Sequence, residues 1–243
     1  MEHLTTEHEI QWDSDKIGRL WDYYSSHALP FGSKYFAQSG GARIVRLSGL
    51  PTRPLRALDF GCGPGYLFDH IARLRPNWRF CGVDFSDKSV AAARQRYGSY
   101  SGFGSVERIS SLPTPFEAQS FDVIFAVEVV EHLNDTHLQA TLAEFRRLLR
   151  PGGTLCITTP NSEELEDSKL MCPECGARFH IWQHVRSWTE ASLDRYVSAY
   201  GFRLRNSRAT DLCVDGFISR AMYAARRMLG RPAPQLMLTF TAL

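Results

Sequence analysis

Three groups of residues in this 243-residue chain have side chains and spacings suited to chemistry. The first is Leu58-Asp59-Phe60-Gly61-Cys62-Gly63-Pro64-Gly65, an apolar run that ends in an acid and passes into alternating glycines. Glycine reaches φ > 0 and has no Cβ, so a bulky ligand can lie against such a turn. The apolar periodicity of Leu67 to Leu74 predicts a helix behind it. Its free N–H groups and positive dipole end face the same space. A second apolar run, Phe80-Cys81-Gly82-Val83-Asp84, also ends in an acid. It lies about 20 residues on, where α/β nucleotide-binding folds carry a ribose-binding carboxylate. Taken alone, the first stretch is equally an ordinary strand–helix turn, and Asp84 a helix-capping acid.

The second group is Glu128-Val129-Val130-Glu131-His132, which follows the apolar run Phe121 to Val127. At i, i+3 and i+4 the two acids and the imidazole share one face if the chain turns helical there. Such a cluster is costly unless a cation or a substrate group sits between its members. The third group is Cys172-Pro173-Glu174-Cys175-Gly176, followed by His180 and His184. That turn resembles a zinc knuckle, and the spacings of the four residues suit tetrahedral Zn²⁺. The alternative is two reduced cysteines on a loose lid. Cys62, Cys81, Cys156 and Cys213 read as small core residues.

At these residues the sequence resembles the class I S-adenosylmethionine-dependent methyltransferases. Asp59 to Gly65 matches their first motif and Gly82-Val83-Asp84-Phe85-Ser86 their second. Phe121-Asp122-Val123-Ile124 and Leu149-Arg150-Pro151-Gly152-Gly153-Thr154-Leu155 follow in the family's order. The resemblance implies S-adenosylmethionine as cofactor. Gly61, Gly63 and Gly65 would then lie against its methionine part, with Asp59 facing the ammonium group. Asp84 would accept from both ribose hydroxyls and Phe85 would pack on adenine, with Val127 beside the cofactor at the end of its strand. Where the family often has an aspartate for the adenine amino group, this chain has Ile109-Ser110-Ser111, so Ser110 or backbone groups would serve. A nicotinamide dinucleotide competes for the site, but the glycine spacing is not Gly-x-Gly-x-x-Gly. As a strand-end acid, Asp84 is expected to contribute little to folding.

Glu-Val-Val-Glu-His resembles two metal-assisted groups within that class. One methylates polyprenyl catechols in ubiquinone biosynthesis, and the other methylates the 2′-hydroxyl at RNA 3′ ends. In the latter a second histidine comes from a His-x-x-x-Trp-Thr segment, which His184 to Thr189 matches. His184 therefore belongs either to zinc with Cys172, Cys175 and His180, or to a Mg²⁺-type site with Glu128, Glu131 and His132. His132 could equally act as a metal-free base. The implied reaction is O-methylation of a small-molecule, glycan or lipid-linked hydroxyl. The alternatives are N- or C-methylation with His132 as base, RNA 2′-O-methylation, and a non-catalytic cofactor-binding scaffold.

The elements that must hold these residues follow from composition and pattern. The chain is 44% hydrophobic, enough for a substantial core, and its net charge of +2 demands no nucleic-acid partner. A polar start and no apolar run of ~18 residues argue against a signal peptide or a membrane span, so the six cysteines are expected to be reduced in the cytoplasm. Strands at 55–60, 78–83, 104–109, 121–127, 153–159, 202–209 and 235–241 alternate with helices at 65–74, 86–97, 135–149, 189–200 and 214–229. That alternation predicts an α/β fold, a seven-stranded doubly wound Rossmann-like sheet, the last strand antiparallel by the family's pattern. Residues 1–50 read as a helical cap, loose to 15, with helices at 15–26 and 40–50 that cover the substrate site or merely pack. Residues 51–243 form the methyltransferase domain, with 161–187 an irregular lid. Phe217, Ile218, Met222 and Met228 lie among Arg220, Arg226, Arg227 and Arg231, a helix for a lipid interface or for packing on the sheet.

Overall fold

The computed structural model describes residues 6–27, 35–213 and 232–243, with 221, 224, 225, 228 and 230 between them. Its sheet has seven strands, in the order β4-β3-β2-β5-β6-β10-β9. In chain order these are β2 (Arg56–Phe60), β3 (Arg79–Asp84), β4 (Phe103–Arg108), β5 (Phe121–Val127), β6 (Leu149–Pro160), β9 (Phe202–Thr210) and β10 (Gln235–Ala242). β10 runs antiparallel to both neighbours, and β2 to β6 pair in parallel. The central strands are mainly apolar because both faces of the sheet are covered.

Side chains alternate between two cores. Leu58, Ile124, Ala126, Leu155 and Leu238 face helices α5 (Asp135–Leu148) and α6 (Glu190–Ser198). Ala57, Phe80, Val123, Phe125 and Cys156 face α2 (Phe36–Leu47), α3 (Tyr66–Leu74) and α4 (Asp87–Tyr97). Helix starts follow their caps. Ser86, Asn134 and Thr189 each accept an N–H from the first turn of α4, α5 and α6.

Four features depart from the sequence pattern. Residues before 15 are not all loose: β1 (His8–Glu9) pairs in parallel with β8 (Ala177–His180). β7 (Lys169–Met171) completes a small sheet in the order β1-β8-β7, so the segment 161–187 has regular structure of its own. α2 starts at Phe36 and ends by Leu47, because Gly40 and Gly41 lie buried in its packed face and tertiary contact overrides their low helix propensity. β6 starts at Leu149, where Phe121 already pairs with it. The helix expected at 214–229 lies outside the described residues, apart from single positions. α1 (Ser14–Ser26), by contrast, sits as its periodicity predicts, capped by Asp13. No described helix is long and apolar enough to cross a membrane.

Gly65 holds the turn into α3 with φ of 82°, and an added Cβ would stand 2.7 Å from Phe68 and 2.8 Å from Tyr97. Gly152, at φ of 75°, has open space around it. Both Gly→Ala changes carry left-handed strain of about 1–2 kcal/mol, and overpacking adds a further ~1–3 at Gly65 only. Urea denaturation is therefore expected to show Gly65→Ala as clearly the less stable variant. Equal losses would contradict the packing assigned to this turn.

Candidate active site

The glycine turn and the acids meet at the carboxyl ends of β2 and β3. Gly61 and Cys62 donate to the Val83 carbonyl at 2.9 and 3.0 Å, which folds the turn across the end of β3. Asp84 then ties three elements together. Its Oδ2 accepts the Gly63 N–H at 2.8 Å and its Oδ1 accepts the Ser86 N–H at 2.9 Å. Ser86 caps α4 and donates its hydroxyl to Asp22 Oδ1 of α1 at 3.2 Å. Asp84 is therefore a buried structural acid, and the expectation that it contributes little to folding is corrected. Burial raises its pKa, and the N–H groups of Ser86, Gly63 and Phe85 oppose that rise. A carboxylate oxygen has two lone pairs, so both oxygens keep acceptor capacity.

Around this acid lie the other residues read from the sequence. Gly63 takes φ of 51°, and a Cβ there would meet the Tyr35 ring at 2.8 Å, so Tyr35 closes over the turn. Burial pushes the Tyr35 phenol up to about 12. Phe85 is 40% exposed at the end of β3. The Ile109 N–H bonds to the Asp84 carbonyl at 2.9 Å, which brings exposed Ser110 beside it. Val127 is half-buried at the end of β5, paired with Thr158. Asp59 is buried beneath them and accepts no hydrogen bond from the described residues. Burial first, then the Asp84 charge, push its carboxyl up to about 8.

The second cluster forms where β5 ends. Glu128 adopts φ of 52°, a left-handed conformation that costs a side-chain-bearing residue ~1–3 kcal/mol. It is held by its N–H to the Thr158 carbonyl at 3.1 Å and by the Thr158 hydroxyl, which donates to Oε1 at 2.8 Å. Burial raises the Glu128 carboxyl to about 7, against the Thr158 bond. The chain then makes a single turn, with the His132 N–H on the Val129 carbonyl, and not the helical start that the spacing suggested. This turn still brings Glu131 Oε1 within 3.8 Å of His132 Nε2. Glu131 Oε2 accepts from the Thr159 hydroxyl at 3.0 Å, while the buried Oε1 has no hydrogen-bond partner. Burial, then Glu128, hold the Glu131 carboxyl well above the usual carboxylate range. His132 is driven the other way, to about 3, by burial first and His184 next.

The segment from Gln183 to Arg186 lies alongside this turn. The Val185 N–H bonds to the Glu131 carbonyl at 2.9 Å, and Gln183 Nε2 bonds to the His132 carbonyl at 2.9 Å. His184 is thereby placed so that Glu131, His132 and His184 form one group of possible cation ligands. Glu128 stands next to this group and outside it. From the N-terminal side, the Trp21 ring meets His132 edge-on at 5.3 Å, and its Nε1 donates to Gln183 Oε1 at 3.3 Å. Tyr24 donates its hydroxyl to the Ile181 carbonyl. α1 thus spans from Ser86 to the histidines.

Two points of the sequence reading change here. Among the described residues, Cys172 and Cys175 join no cluster with His180 and His184. His180 Nδ1 is taken by the N–H groups of Trp182 and His184, at 3.2 and 3.3 Å, and His184 Nδ1 by Glu163 Oε2 at 2.6 Å. The four-ligand zinc site is therefore not assembled. The cysteines form a separate knuckle, in which N–H groups of Cys175 and Glu174, and then the Cys175 side chain, lower the Cys172 thiol pKa. Glu163 is the residue that spacing missed. It is fixed at the end of β6 by Asn161 bridging to Trp188 and by the Ser162 N–H on the Trp188 carbonyl. Neighbouring Glu164 and Glu166 give it no distinguishing sequence signal.

Residues 33–207 match a family described as a methyltransferase domain. The chain belongs to that family. The methyltransferase domain is 30% identical over 164 residues to a malonyl-[acyl-carrier protein] O-methyltransferase of Legionella pneumophila, covering 67% of this chain and 57% of that protein. It is 35% identical over 112 residues to a ubiquinone biosynthesis O-methyltransferase of Sinorhizobium fredii, covering 46% and 43%. The chain thus spans about half the length of curated relatives it matches. In fold it is similar to the putative methyltransferase solved in complex with the Haloferax volcanii Trm112 methyltransferase activator. The TM-score is 0.63 at 20% identity, over 93% of this chain and 94% of that one.

A carboxyl whose pKa rises from 3.8 to about 8 on folding binds more protons folded than unfolded between those values. It therefore lowers stability as pH rises across that window. Glu128, raised to about 7, acts in the same direction. The urea midpoint of the ligand-free domain is expected to fall from about pH 5 to about pH 8, and to fall less in Asp59→Asn. An unchanged slope in that variant would contradict the burial assigned to Asp59.

Proposed function

We propose that the protein transfers a methyl group from S-adenosylmethionine to an oxygen of a small-molecule acceptor, with a divalent cation at Glu131, His132 and His184. The observation that carries the cation is the buried Glu131 Oε1, 3.8 Å from His132 Nε2 and without a hydrogen-bond partner. A buried carboxylate oxygen in that position is costly unless a cation or a substrate proton meets it. Family membership and the O-methyltransferase relatives support the reaction class. Residues 1–50 act in this reading as a cap, because α1 reaches both the Ser86 side and His132.

Bound S-adenosylmethionine would supply an electrophilic methyl group on its sulfonium. The residues present fit it. Asp84 keeps lone pairs for two ribose hydroxyls while its bonds to Gly63 and Ser86 fix its orientation. Asp59 needs a cationic partner to ionise at neutral pH, which the ammonium group would be. Phe85 and Ser110 flank the adenine side. Gly61 and Gly63 let the backbone of the turn pack closely against Val129 and Tyr35, where a Cβ would stand 2.8 Å from either side chain.

A cation held by Glu131, His132 and His184 would lower the pKa of the acceptor hydroxyl. His132, with its pKa near 3, stays neutral and keeps a ring nitrogen lone pair for that role. The same value argues against His132 as a free base near neutral pH, so N- or C-methylation driven by His132 is the weaker reading. Glu128, anchored on Thr158, stands beside the ligands and aligns the end of β5. RNA is the less favoured acceptor, since a net charge of +2 supplies no global electrostatic attraction.

The test is transfer of labelled methyl from S-adenosylmethionine to a panel of catechols, phenols and small acids. Transfer is expected, with His132→Ala markedly slower, as loss of a cation ligand requires, and nearly unchanged in cofactor affinity. Activity should fall with EDTA and return with Mg²⁺ or Mn²⁺. A His132→Ala enzyme of full activity would reject this assignment.

A further inference from the structure

We infer that Glu163 is a positioning residue that fixes the ring tautomer of His184 and so decides which of two overlapping clusters holds the cation. The inference rests on the metal reading given above. The two clusters are Glu131–His132–His184 and Glu163–His180–His184, and they share His184. On ligand types alone, both are a carboxylate with two imidazoles.

Hydrogen bonds separate them. His180 Nδ1 accepts two backbone N–H groups, from Trp182 at 3.2 Å and His184 at 3.3 Å. A ring nitrogen that accepts carries its lone pair inward, so the hydrogen of a neutral His180 is on Nε2. That Nε2 lies 3.4 Å from Glu163 Oε1 and has no lone pair to give to a cation. His184 is arranged the opposite way. Its Nδ1 lies 2.6 Å from Glu163 Oε2, a distance for N–H donation to a carboxylate. The hydrogen is then on Nδ1, and Nε2 is the nitrogen with a free lone pair. Glu163 is thus engaged by the His184 Nδ1–H, while His180 Nε2 stands near it without a hydrogen bond, and His184 is left able to ligate together with Glu131 and His132. A carboxylate behind a ligating histidine orients the ring and strengthens it as a donor. The stacked rings of His180 and His184, 4.5 Å apart and 18° from parallel, hold this arrangement flat.

Long-range ¹H–¹⁵N spectra of the metal-free full chain, assigned with His184→Gln, read the tautomers directly. His184 is expected as Nδ1–H and His180 as Nε2–H in the unsubstituted protein. Glu163→Ala should release His184 from the Nδ1–H form, and Glu163→Gln, whose amide oxygen still accepts, should restore it. In Mn²⁺ titrations, Glu163→Ala should weaken binding by about 10–100-fold. His180→Gln, which removes only the stacking partner, should weaken Mn²⁺ binding far less than Glu163→Ala. His184 found as Nε2–H in the unsubstituted protein would overturn the inference, as would Glu163→Ala with native tautomer and affinity. If the unsubstituted protein binds no Mn²⁺ yet His184 needs Glu163 for its Nδ1–H form, the positioning role stands and the metal reading fails.

Discussion

The carboxylate of Asp84 is the constraint on which the cofactor side of this fold depends. It is buried at the end of β3 and receives one N–H from the glycine turn and one from the start of α4. Unpaired, each of those buried donors would cost ~1–3 kcal/mol, so the acid holds β2, β3 and α4 in one arrangement. The same acid raises the pKa of Asp59 through its charge. Folding thus stores two acids at the place where a cationic and hydroxyl-bearing ligand would relieve them.

The site opposite is built by a different device. No regular element presents Glu131 and His132; a strained residue, Glu128, ends β5 and a single turn follows. The turn is stabilised by the Val185 N–H and the Gln183 side-chain amide, which donate to the Glu131 and His132 carbonyls, so the chain after β6 places His184 and fixes Glu131 and His132 at the same time. α1 closes over both, through Asp22 on Ser86 and Trp21 on His132. The Asp84 side and the His132 side are therefore linked through one helix.

Much of this was legible in the sequence, for physical reasons. The buried parallel strands are mainly apolar and run into acids or glycines at their carboxyl ends, so β2, β3 and β5 could be read to within a residue. Ser86 was recognisable as a cap because its hydroxyl precedes an apolar-periodic run. What was not legible depends on distant partners. His8 and Glu9 carry no apolar run, and they form a strand only because β8 offers an edge. The spacing of Cys172, Cys175, His180 and His184 suited zinc, yet backbone N–H groups and Glu163 occupy the imidazole nitrogens. Glu163 follows β6 by three residues in a run of acids, and only the fold singles it out.

The most direct test of the account is calorimetric titration of the full chain with S-adenosylhomocysteine and, separately, with NADH. S-adenosylhomocysteine is expected to bind one per chain and more tightly as pH rises through about 8, where Asp59 ionises. NADH is expected not to bind. Binding of NADH alone, or no heat with S-adenosylhomocysteine at any pH, would contradict the cofactor site described for Asp59, Gly63 and Asp84.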